Sequence, residues 1–222
     1  MANSVDDNVY RLTEPKIKQQ TAQDNKAETI CEDHIGKTFS VVVDPDGVLT
    51  LSVVPNKDSL TYQPHLVDLS TITKSSSYHK VTKTIFDKLS VQDLVKVGQD
   101  YPHGFIFKIG EFEGITGNSV NLPYSIALMS RLKSLPCKPN IVSTGKLDGD
   151  SVKCIGSLRR KLKAVYNYNK TNGKDLIFII PNANLSEYQS IIAKNPKLSQ
   201  VKVKSVETLE EVLSMSLNGI NF

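Results

Sequence analysis

Between residues 120 and 216 the spacing of apolar residues keeps switching, and no other feature of this 222-residue chain constrains its fold as strongly. Short aliphatic or β-branched runs at 140–144, 151–155, 175–180 and 201–204 read as strands. The first two lie around Lys146-Leu147-Asp148-Gly149-Asp150, and stretches with helical spacing run from 120 onward and at 157–169, 185–193 and 206–216. Strand–helix alternation of this kind predicts βαβ units laid on a sheet. The first half reads differently. Runs at 38–43 and 48–54 flank Asp44-Pro45-Asp46-Gly47 and predict a hairpin. A strand is expected at 80–86, a short helix at 91–97 and an apolar strand at 104–109, with a long surface connection over 55–79. The expected fold class is therefore mixed α/β, mainly β in its first half and βαβ in its second.

The strand at 104–109 and the helix after 120 are joined through Thr116-Gly117-Asn118-Ser119. Leu122, Ile126 and Met129 mark one stripe of that helix, and Pro123 fixes where it begins. Proline is harmless only in a first turn, whose N–H groups lack intrahelical partners. Ser119 therefore stands at the helix N-terminus, with Gly117 supplying the backbone freedom the turn needs. Unpaired N–H groups and the positive end of the helix dipole would stabilise an oxyanion formed beside that serine. A simple capping role for Asn118 or Ser119 is the plainer alternative.

Lys161 is the second informative residue. In the helix at 157–169, Leu158, Leu162 and Val165 form an apolar stripe, with Lys161 at its edge and Arg159, Arg160 and Lys163 on the other side. Burial disfavours a charged amine, and neighbouring cations add to that effect. An inward lysine can thus lose its proton near neutral pH, unless it buries only its stem and keeps its head in water. A serine at a strand-to-helix turn and a deprotonatable lysine together suggest a serine–lysine hydrolase. Thr144, before a turn in Val142-Ser143-Thr144-Gly145, has a hydroxyl able to orient the amine, although a β-branched strand residue is the plainer reading.

Composition narrows the alternatives. The chain is 39% apolar with no run near 18 apolar residues, so no membrane-spanning helix is expected. No basic-then-apolar leader is visible at its start. Three cysteines (Cys31, Cys137, Cys154) without a C-x-x-C pair argue against structural zinc or a disulfide framework, and the four histidines lack metal-binding spacing. No metal or cofactor is expected. A P-loop is excluded, because its first glycine position holds Phe112 and its lysine position Asn118. A serine–histidine arrangement would have to enlist His103 without an assignable acid. Residues 131–204 hold 15 Lys and Arg against 4 Asp and Glu. That surplus reads as a solvated surface, or as a binding face for RNA or acidic partners, though no aromatic-interleaved RNA motif accompanies it.

These residues carry a resemblance. The stretch from about 114 to 180 resembles the proteolytic domain of Lon, where a serine before a helix, a T-G turn and a helix lysine occur in this order. GITGNSVNLPYSIAL is similar to the nucleophile segment of the birnavirus polyprotein-processing proteases, with their G-N-S-x-N-L pattern. The resemblance implies a Lon-like fold, with Ser119 as nucleophile, Lys161 as general base, Thr144 contacting the lysine, and Gly117 and Asn118 binding substrate. It implies an endopeptidase without cofactor, acting in the host cytoplasm on a viral polyprotein bound in extended form, with a small residue before the cut. It carries no ATPase region, so ATP-driven proteolysis is not implied. On this reading residues 1–36 are a polar arm and 37–222 the protease domain. A non-enzymatic basic RNA- or protein-binding module is the alternative.

Overall fold

A computed structural model describes residues 34–43, 46–57, 66–67, 77–110 and 117–220. Most of the expected arm, Asp44 and Pro45 of the hairpin turn, most of the 55–79 connection and residues 111–116 lie outside the described residues.

The hairpin forms as expected: β1 (Lys37–Val42) pairs antiparallel with β2 (Gly47–Pro55). A two-residue strand, β3 (Leu66–Val67), lies within the expected connection and pairs with β4 (Phe105–Ile109). Between them stand two helices, α1 (Ser77–Phe86) and α2 (Val91–Asp100). The strand expected at 80–86 is thus the helix α1. Its β-branched KVTKTIF composition favours a strand, but Val81 and Ile85 are buried one turn apart while Lys80 and Lys83 face water. Thr82 supports the helix by donating its hydroxyl to the Tyr78 carbonyl at 2.9 Å. α2 runs one turn longer than its expected length, started by a reciprocal cap between Ser90 and Asp93.

In the second half a 3-10 turn at Asn118–Val120 leads into α3 (Asn121–Lys133). β5 (Ile141–Ser143), the small hairpin β6 (Lys146–Asp148) and β7 (Ser151–Lys153), and α4 (Leu158–Asn172) follow. The chain then runs through β8 (Ile177–Pro181), α5 (Leu185–Lys194), β9 (Lys202–Val206) and α6 (Leu209–Ser216). The helix expected from 206 begins at Leu209, since Val206 still belongs to the sheet and Thr208 caps the helix reciprocally with Glu211.

Among these residues seven strands form one sheet in the order β3-β4-β2-β1-β5-β8-β9. The β1–β5, β5–β8 and β8–β9 pairs are parallel and the β3–β4, β4–β2 and β2–β1 pairs antiparallel. The expected mixed α/β class is what the molecule has. Alternation along the strands divides the core in two. Val42 and Ile179 point into one cluster with α1, α3 and α6, while Val41, Val142, Phe178 and Ile180 point into another with α4 and α5. α3 departs from expectation. Every residue from Asn121 to Ser130 is buried, so it is a central helix and not one with a single apolar stripe. Its hydroxyls meet that burial internally: Ser125 donates to the Asn121 carbonyl, and Ser130 donates to Leu135 while accepting from the Gly36 N–H.

Candidate active site

The two residues singled out from sequence meet at one end of the parallel strands. β4 is antiparallel to β2 and β2 to β1, so β4 points the same way as β1 and β5. Ser119 follows β4 and therefore returns the chain to the end at which β1 and β5 finish. The β1–β5 register aligns Ser40 with Ser143, so the next pair along is Val41 and Thr144. That register brings a main-chain carbonyl and a hydroxyl together beneath α4. Lys161 enters from the second turn of that helix, and its Nζ lies 3.0 Å from Ser119 Oγ, 2.9 Å from Thr144 Oγ1 and 3.2 Å from the Val41 carbonyl oxygen.

The helix arrangement matches the periodicity. Leu158, Leu162 and Val165 are buried with Lys161, whereas Arg159, Arg160 and Lys163 are exposed. Ser157 starts the helix in a left-handed conformation (φ 59°), and its carbonyl accepts the Lys161 N–H at 3.1 Å. That conformation costs a non-glycine residue on the order of 1 kcal/mol, and it sets the first turn that aims Lys161 inward.

Lys161 is 3% exposed, and burial lowers its pKa to about 8. The expected reinforcement by neighbouring cations is absent: desolvation alone accounts for the shift. The cations point away, and Arg160 is paired with Asp46 at 2.8 Å. With a pKa near 8, about one amine in ten is neutral at pH 7, against about one in three thousand for an ordinary lysine.

The three partners determine where a neutral amine would aim its lone pair. The Val41 carbonyl can only accept. Thr144 Oγ1 lies 3.3 Å from the Ser119 carbonyl, to which it donates, so towards Lys161 it accepts. Two N–H bonds of an uncharged Lys161 are then occupied, and the lone pair faces Ser119 Oγ. The serine hydroxyl is the one partner of the three with a proton left to give.

The turn carrying Ser119 is stitched to the end of β5. Gly145 N–H donates to the Ser119 carbonyl at 2.8 Å, and Leu122 N–H donates to the Gly145 carbonyl at 3.1 Å. A Cβ on Gly145 would lie 2.8 Å from Leu122 Cδ2 and 3.1 Å from Val152 Cγ1, so any larger residue would push one of these side chains aside. Gly117 (φ 117°, ψ 139°) opens the 3-10 turn in a conformation disfavoured for other residues. It and Asn118 are exposed beside the half-buried Ser119. Standing in the first turn, Ser119 presents an N–H group without an intrahelical partner.

Sequence reasoning thus named Ser119, Lys161 and Thr144, which the fold brings together, and Gly117 and Asn118, which flank them. It missed the Val41 carbonyl, since a main-chain acceptor is defined by register alone. It assigned no role to Gly145, although a glycine directly after a strand-ending threonine was visible. His103 precedes β4 at the far end of that strand from Ser119, which removes His103 as its partner. Among the described residues no cluster of His, Cys, Asp or Glu has metal-binding geometry, and no helix is long and apolar enough to cross a membrane.

No protein-family model matches the chain. Comparison with characterised proteins finds Lon proteases. Archaeal Lon protease of Thermoplasma volcanium is 25% identical over 111 residues, covering 49% of this chain and 16% of that protein. Its counterpart in Thermoplasma acidophilum is 26% identical over 137 residues, covering 60% and 18%. Lon protease of Fervidobacterium nodosum is 26% identical over 195 residues, covering 84% and 22%. The chain spans about a fifth of the length of these relatives. It is similar, at a distance, to Lon proteases.

Proposed function

We propose that the chain is a serine–lysine endopeptidase in which Ser119 is the nucleophile and Lys161 the general base. The observation that carries this reading is the 3.0 Å contact between Ser119 Oγ and an almost fully buried Lys161 Nζ. As Ser119 Oγ bonds to the scissile carbonyl carbon, its proton passes to neutral Lys161. The resulting oxyanion is held by N–H groups of the turn around Ser119. When the tetrahedral adduct collapses, the C–N bond breaks and Lys161 returns the proton to the leaving amine. Water then attacks the Ser119 ester as Lys161 takes its proton; when the C–Oγ bond breaks, Lys161 returns that proton to Ser119 Oγ, which releases the acid and restores the serine. Thr144 does not react; it fixes the amine in the orientation that points its lone pair at Ser119.

The substrate on this reading is an extended peptide that pairs its backbone with a strand edge and passes Gly117 and Asn118. The likeness of GITGNSVNLPYSIAL to the birnavirus processing proteases supports a viral polyprotein as that substrate and the host cytoplasm as the place of cleavage. The similarity to Lon proteases supports peptide hydrolysis in general. The test is product formation from the precursor that contains this chain, with labelled casein as a second substrate. Ser119→Ala should fold as the wild type does and lose activity by roughly 10⁴-fold or more. Processing at the wild-type rate would refute serine catalysis by Ser119.

A further inference from the structure

Six of the fifteen cations of residues 131–204 line a face that the proposed reaction does not use. While the inner side of α4 carries Lys161, its outer side carries Arg159, Lys163 and Lys170, all exposed. Arg159 and Lys163 form one wall of an open groove of about 440 Å³, with Lys194 and Lys197 opposite and Tyr166 and Leu198 between them. Tyr166 also borders a second hollow of about 320 Å³, which takes in Lys170 and Lys174. From Arg159 to Lys170 is 11 residues, or about 16 Å along α4.

Two neighbouring cations find carboxylates: Arg160 pairs with Asp46 and Lys202 with Asp175. The six around the two hollows have no ion-pair partner among the described residues. Asp175, which borders the second hollow, is already engaged by Lys202. A concave site rimmed by one sign of charge focuses its field into the groove. Tyr166 is half-buried against the core, so its ring is held in place between the two charged rims.

We propose that this face binds single-stranded nucleic acid, with phosphates on the six cations and a base stacked on Tyr166. The ring at the junction of the hollows is what favours a nucleic acid over an acidic peptide, which has no base to stack. It also favours a single strand over a duplex, whose bases are already stacked on each other. No linear motif announces the site, because its two walls come from α4 and from the α5 end, which are separate in sequence. The face lies on the opposite side of α4 from Lys161, so the chain can hold a strand and a peptide at once.

The test is fluorescence anisotropy of labelled 12-mer oligouridylate and oligothymidylate with the full chain over a range of KCl concentrations. Both probes should bind, and RNA binding stronger than DNA binding would identify a contact to the 2′-hydroxyl. If all six cations meet phosphate, log affinity should fall with log salt at a slope of about −4. Lys163→Glu combined with Lys194→Glu should weaken binding at least tenfold and flatten the slope, while precursor cleavage stays at the wild-type rate. Tyr166→Leu, with its fold checked by circular dichroism, should weaken binding at least fivefold without changing the slope. Absence of binding at low salt, or binding untouched by the charge reversals, would overturn the proposal. So would equal binding by a duplex or equally effective competition by polyglutamate, either of which would make the face a general anion surface. An unchanged affinity in a folded Tyr166→Leu chain would remove the stacking contact on which the choice of partner rests.

Discussion

Lys161 reports its own environment through stability. Its folded pKa is about 8 against an ordinary 10.5, with burial as the cause. Below pH 8 the folded protein holds a buried ammonium at a cost of roughly 3 kcal/mol relative to the neutral amine. Between the two pKa values the unfolded chain binds more protons than the folded one, so this contribution to stability rises with pH and levels off above 10.5. Lys161→Met keeps a long apolar side chain and lacks the proton. The stability of the wild type relative to Lys161→Met should therefore increase by roughly 2 kcal/mol between pH 7 and pH 10. Urea melts of both proteins at the two pH values measure this, and tyrosine ionisation cancels in the difference. A pH-independent difference would mean that Lys161 titrates like a solvated lysine. The inward setting of this residue was legible in the sequence, because one cation of four fell at the edge of the Leu158–Leu162–Val165 stripe. The cause of its shift was only half legible, since the directions of Arg159, Arg160 and Lys163 follow from α4 but the pairing of Arg160 with Asp46 is tertiary.

Elements position the serine as much as the residue itself does. Pro123 located the start of α3 from sequence alone, and Ser119 stands at that start, in the 3-10 turn. What fixes the turn is the end of β5, through Gly145. Gly145→Ala should force Leu122 or Val152 to move, at a cost of about 1–3 kcal/mol. It should also displace the hydrogen bond that holds the Ser119 carbonyl, lowering activity by at least about tenfold, since small misplacements of reacting groups are costly. Thermal melts and precursor cleavage check the two halves, and a folded Gly145→Ala chain cleaving at the wild-type rate would show that the staple does not position Ser119. The elements misread from sequence share a physical reason. The β-branched composition of α1 points to a strand, and only packing of Val81 and Ile85 on the sheet decides for a helix. α3 showed its apolar residues but not that its serines would be buried as well, because internal hydrogen bonds leave no trace in periodicity.

For the molecule as a whole, alternation along the second half pointed to the parallel strands β5, β8 and β9, whereas the expected strand at 151–155 pairs instead in the separate β6–β7 hairpin. The Asp-Pro-Asp-Gly turn was enough for the β1–β2 hairpin. The order of strands was not legible. β1 is inserted between β2 and β5, and this insertion alone puts the Val41 carbonyl beside Thr144. The charge surplus was visible as a count, but the gathering of six of its cations around two hollows depends on which residues α4 and α5 turn outward. One consequence is a division of labour across α4, with a buried, deprotonatable lysine inside and fixed positive charge outside.

General-base catalysis requires that Lys161 be without its extra proton before Ser119 can react. Lys161→Arg keeps a long side chain and a positive charge but cannot deprotonate, because the guanidinium pKa exceeds about 12. The decisive measurement is the rate of precursor cleavage by Lys161→Arg and wild type from pH 6 to 10, with circular dichroism to establish that both are folded. The wild-type rate should rise to a plateau with its midpoint near 8, and Lys161→Arg should be inactive throughout. A folded Lys161→Arg protein that cleaves its precursor at a substantial fraction of the wild-type rate would contradict general-base catalysis by this lysine.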